Sequence, residues 1–129
     1  DELLKEGFRK GIFHTDSDSL IFVASDAMAH YIIMMYEVAC EDTFRQELDE
    51  AESKCSKNSN YIKMARTLHF NDFEKDVINK LVNTIGHPAN FQRHIQSLLR
   101  KGLIAYDDYS LAMFYKKQNN GTDKNVRHK

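Results

Sequence analysis

Leu20-Ile21-Phe22-Val23-Ala24-Ser25-Asp26-Ala27-Met28-Ala29-His30-Tyr31-Ile32-Ile33-Met34-Met35-Tyr36-Glu37-Val38-Ala39-Cys40 is the stretch on which the fold turns. Two apolar series run through it at helical steps. One is Ile21, Met28, Ile32, Met35, Ala39. The other is Phe22, Ala29, Ile33, Tyr36, Cys40, Phe44, Leu48. Steps of three, four and seven are those of a helix, and two stripes on one helix predict burial on more than one side. The stretch therefore reads as a central helix, from about residue 18 to between residues 45 and 51.

Outward from it, a short helix over residues 2–13 is expected, with Leu4, Phe8 and Ile12 as its stripe. Gly7 and Gly11 weaken it by roughly 1 kcal/mol each against alanine. His14-Thr15-Asp16-Ser17-Asp18-Ser19 is a polar break rich in capping residues. Residues 53–60 are a loop by composition. Asn71 and Glu74 form a capping pair opening a third helix, with Phe73, Val77, Leu81 and Ile78, Val82, Ile85 as its rows. Gly86-His87-Pro88 ends it. A fourth helix spans about residues 90–101. Residues 103–115 form a fifth helix, or a hairpin turning at Asp107-Asp108, the helix being preferred. The expectation is thus an all-α domain over residues 1–115, a short–long–short helical triplet with one or two C-terminal helices, and a charged, mobile tail over 116–129.

The size of 129 residues permits one self-sufficient core. The net charge of −1 conceals an asymmetry: residues 1–60 hold 13 acids and 6 bases, residues 61–129 hold 6 acids and 12 bases. A near-zero balance does not point to general attraction to nucleic acid. Two cysteines, Cys40 and Cys55, make neither a disulfide framework nor a metal motif, and a reducing compartment is expected. No apolar run reads as a membrane span. The six histidines include no helical metal pair, no serine stands in a nucleophile elbow, and no glycine-rich phosphate loop exists. Neither metal nor cofactor nor catalysis is expected.

The order short helix, break, long helix, loop, short helix resembles the histone fold over about residues 2–86. Ala65-Arg66-Thr67-Leu68-His69-Phe70-Asn71-Asp72-Phe73 is similar to that family's second loop. The resemblance implies a nuclear assembly subunit in transcription or chromatin, heterodimerising with a second helical chain, or with its own copy, through residues 28–44 and the flanking loops. The interface candidates are Met28, Tyr31, Ile32, Met35, Tyr36, Phe44, Thr67 and Phe70. Lys63 and Arg66, with Arg93, Arg100 and Lys101, are candidates for phosphate contact. One short–long–short unit cannot cover both stripes of its central helix, so later helices or another chain must cover the second. Two other functions fit the pattern. One is a secreted helical-bundle effector, with Asn120-Gly121-Thr122 as a glycosylation sequon and a Cys40–Cys55 bridge. The other is a helical adaptor or cell-death regulator holding a helical peptide in a groove.

Overall fold

The computed structural model describes residues 7–14, 18–70, 72–117 and 127–128. It overturns the all-α expectation: the protein combines an antiparallel sheet with helices. Strands β1 (Phe8–His14), β2 (Asp18–Ser25), β3 (Leu111–Lys117) and β4 (Arg127–His128) lie in that order across the sheet. Between β2 and β3 come helices α1 (Asp26–Ala39), α2 (Glu41–Ser53) and α3 (Lys57–Thr67), a π-helical turn (Glu74–Ile78) running into α4 (Asn79–Val82), and α5 (Pro88–Arg100). The chain divides into two compact units, one of residues Asp1–Ala29 with Asp108–Lys129, the other of residues His30–Asp107.

In the sheet unit β2 is central. It pairs with β1 from Phe8↔Ser25 to His14↔Ser19, and with β3 from Asp18↔Lys117 to Ala24↔Leu111. Leu20, Phe22 and Ala24 are buried at alternate positions, and Met113 of β3, opposite Phe22, is buried with them. That period of two is the strand signature, and β-branched and aromatic residues suit a pleated surface. The first element of the expected triplet is thus strand β1 where it is described, and the expected helix over residues 103–115 ends in strand β3. Residues 116 and 117, assigned to the tail, finish β3. Residues 127 and 128 pair with it. The Asn71 cap and the sequon at residues 120–122 lie outside the described residues, as does the middle of the expected first loop.

Ser25 is where strand becomes helix. Its Oγ accepts the Met28 N–H (3.3 Å) and the Ser110 N–H (3.2 Å), and donates to the Asp108 carbonyl (3.1 Å). A serine accepting from the third residue of the helix is an N-cap, so α1 starts at Asp26 and not near residue 18. Exposed Arg9 pairs with Asp26 (2.8 Å), a contact worth at most about 1 kcal/mol in water.

In the helical unit the expected long helix is interrupted a second time. Cys40, at φ −105° and ψ 45°, ends α1 and precedes α2, and Phe44 inside α2 is again non-helical. The core contains Tyr31, Ile32, Met35, Leu48, Val77 and Leu81 among others. Ser56 and Ser59 form a reciprocal capping box opening α3, the Ser56 hydroxyl accepting the Ser59 N–H (3.3 Å) and Ser59 Oγ the Ser56 N–H (3.1 Å). Asp72 Oδ1 accepts the Lys75 N–H (3.0 Å). Gly86, at φ +79°, makes the turn into α5, whose first residue is Pro88, both as glycine and proline chemistry requires.

Candidate functional site

The periodicity of the deciding stretch reappears in α1 as a difference between its sides. Met28, Ile32 and Met35 of the first stripe are buried. On the second stripe Ala29 is buried, but Ile33 is 53% exposed and Tyr36 41% exposed. Cys40 and Phe44 farther along it are half-buried. Tyr36 meets Phe44 edge-on at 6.0 Å between ring centroids and Phe73 at 5.3 Å, so its ring is held in place with one edge open to water. Ile33 and Tyr36 are three residues apart and share a helix face.

Glu37 follows Tyr36, and its carboxyl is raised above the usual carboxylate range, first by burial and then by the Glu47 carboxylate, with His30 acting the other way. At the break between α1 and α2 a cleft of about 350 Å³ opens, lined by Val38 to Thr43 with Arg66, His69 and Phe70. Arg66 is the cation of an ion-pair cluster: Nη2 donates to Glu41 (2.7 Å), and Nη1 to Asp49 (2.9 Å) and Glu52 (2.6 Å). Three carboxylates against one guanidinium leave the cluster net negative.

The structure separates the interface candidates. Met28, Tyr31, Ile32 and Met35 belong to the protein's own core and offer a partner no surface; burial also pushes the Tyr31 phenol up. Tyr36 and Thr67 are exposed, and Phe44 and Phe70 half-buried. The Thr67 hydroxyl is turned back onto the Lys63 carbonyl (2.8 Å). Ile33 stands on the second stripe but is not among the interface candidates, because periodicity alone does not set it apart from its buried neighbours Ile32 and Met34. Of the phosphate candidates, Lys63 is exposed, whereas Arg66 is already spent on carboxylates, and a phosphate approaching it meets excess negative charge. Cys40 and Cys55 are free thiols, so the bridge of the secreted alternative is not formed. Among the described residues no three His, Cys, Asp or Glu side chains gather as a metal site, and no helix is long and apolar enough to cross a membrane.

His94 on α5 carries a testable electrostatic signature. Its Nε2 is buried without a hydrogen-bond partner. Burial lowers its pKa, and the charges of Lys80 and Lys101 lower it further. The unfolded chain, with an ordinary imidazole near pH ~6.5, therefore binds a proton more readily than the folded one. Stability is complete above that value and falls as pH drops toward the lower folded value. Thermal melts of the parent and His94→Gln between about pH 7.5 and pH 5 should show the parent losing stability on acidification, and the variant losing less. Parallel curves would remove the imidazole from this account.

Comparison of the chain with protein families, with curated proteins and with solved structures finds no match.

Proposed function

We propose that this chain is a non-catalytic protein-binding module that docks a partner on the uncovered face of α1. The stretch that the histone-fold resemblance reads as one long helix is divided at Ser25 and Cys40, so the docking proposed here rests on α1 alone. What supports docking is the pair Ile33 and Tyr36, apolar and exposed on a helix whose other side is buried. Single exposed apolar residues are ordinary; an adjacent pair continued by the half-buried Phe44 is a seat. Covering it yields about 25 cal/mol per Å² of apolar area. Glu37, next in sequence to Tyr36, and Glu47, whose carboxylate bears on it, favour as occupant an amphipathic helix with apolar residues on one face and Lys or Arg at its margins.

A fluorescent amphipathic peptide of leucine and lysine tests this, with its leucine–glutamate counterpart as control. The basic peptide should bind and the acidic one should not. Ile33→Asp adds negative charge, which by itself favours a basic peptide, yet it should weaken binding roughly tenfold by removing the apolar seat. Because Ile33 is exposed, the melting curve should shift little, by about 0.5 kcal/mol or less. Unchanged binding by Ile33→Asp would show that only charge is being read and would remove the docking face.

A further inference from the structure

α5 lies within a segment of 30 residues, 77–106, that contains no aspartate or glutamate, while all 19 acids of the chain fall elsewhere. The segment holds Lys80, Arg93, Arg100 and Lys101. α5 is sharply two-sided. Phe91, Ile95, Leu98 and Leu99 form its apolar side, with Leu98 fully inside. Ala89, Gln92, Arg93, Gln96 and Arg100, at helical steps of three and four, form the other side, and all are exposed. Asn90 Oδ1 accepts from the Arg93 guanidinium, which steadies that side chain. At one margin Lys80 of α4 and Lys101 at the end of α5 bear on His94. Among the described residues none of these four cations is in an ion pair, an arrangement that a polyanion relieves.

The form of the polar side selects among polyanions. It is an open helical surface about 20 Å long, not an enclosed pocket for a small anion. Glutamine and arginine side chains match the adenine and guanine edges displayed in the major groove of DNA, which admits a helix. The corresponding groove of double-stranded RNA is too narrow for side chains to read. We infer that α5 is a seat for double-stranded DNA, lying in the major groove with Gln92, Arg93 and Gln96 toward the base edges and Lys80, Arg100 and Lys101 at the phosphates. This surface and the docking face of α1 share no residue, so either stands without the other.

The probe is a labelled DNA duplex of about 20 base pairs of random sequence, titrated with the full chain from about 50 mM salt upward. Binding should weaken with salt at a slope near −0.9 for each phosphate neutralised. Arg93→Ala with Arg100→Ala should lower affinity about tenfold or more and flatten the slope by about one contact, that of Arg100 at a phosphate. Lys54→Ala, an exposed base after α2, should leave both unchanged. Arg100→Gln alone provides the reading if the double variant melts early, and should flatten the slope by about one contact. An RNA duplex and a single strand should bind more weakly. No binding at about 50 mM salt, arginine variants equal to the parent, or an RNA duplex held as tightly as DNA would each overturn the assignment.

Discussion

Replacing Arg66 with alanine should lower the stability of the protein by about 2 kcal/mol in low-salt chemical denaturation. The figure lies below the 3–5 kcal/mol typical of a broken buried pair because the partners differ in their access to water. Arg66 is 18% exposed and Glu52 25% exposed, but Glu41 and Asp49 more so. The alanine variant leaves Glu41 and Asp49 of α2 and Glu52 near its end gathered without their cation. Their repulsion then acts within α2 and at its start, where Cys40 and Phe44 already depart from helical geometry. Screening at about 1 M salt should recover part of the loss. Arg66→Lys should recover less than its retained charge suggests, because one ammonium cannot reproduce a planar fork reaching three carboxylates. A loss below about 0.5 kcal/mol, the range of ordinary surface substitutions, would reduce the cluster to a surface ornament. A larger loss indifferent to salt would assign Arg66 a packing role.

The cluster also shows which parts of the fold local sequence can carry. Arg66 is legible as a cation, and Glu41, Asp49 and Glu52 are among the 13 acids of residues 1–60, but no spacing rule brings residues 41 and 66 together. The same limit governs the sheet. Leu20-Ile21-Phe22-Val23 is a short continuous apolar run, which fits a helical stripe and a buried strand equally well until its partners are known. Those partners include β3, some 85 or more residues further along at the Ser25 end. The local marker that could have divided strand from helix was Ser25-Asp26, a capping residue followed by an acid in the first turn. The polar residues at 14–19 drew the cap there instead. From Asp26 onward the helical stripe holds, and Met28, Ile32 and Met35 are inside as their spacing requires. Val77, Ile78, Leu81 and Ile85 are inside for the same reason, and Gly86 and Pro88 take the positions their chemistry assigns. Of the candidate docking face, Ile33, Tyr36 and Phe44 are all legible on the second stripe. The exposure of Ile33 is not, because periodicity names a face without saying whether anything covers it.

Gly11→Val should destabilise the protein by about 2–3 kcal/mol, against the ordinary preference of strands for valine over glycine. Gly11 stands opposite Phe22 in the β1–β2 ladder. A Cβ at residue 11 would lie 2.2 Å from Phe22 Cζ and 2.5 Å from Cε2, far inside contact distance. The Phe22 ring therefore lies over the glycine, filling the space a side chain would need. Phe22 is itself buried, as are Leu20 and Ala24 on the same side of β2, so the ring has no free water to swing into. Phe22→Ala alone should cost about 3–5 kcal/mol as a large-to-small change in a buried site. Combined with Gly11→Val it should cost clearly less than the sum, because the valine occupies part of the vacated volume, a coupling of about 1 kcal/mol or more. Lys10→Val supplies the comparison. It is the neighbouring exposed residue of the same strand, so it gains strand propensity without meeting the ring, and should be neutral or slightly stabilising. If Gly11→Val behaves like Lys10→Val, residue 11 does not face Phe22. A slip of one residue exchanges the two faces of a strand, so the pairing of β1, and with it the sheet that replaced the expected first helix, would then have to be redrawn.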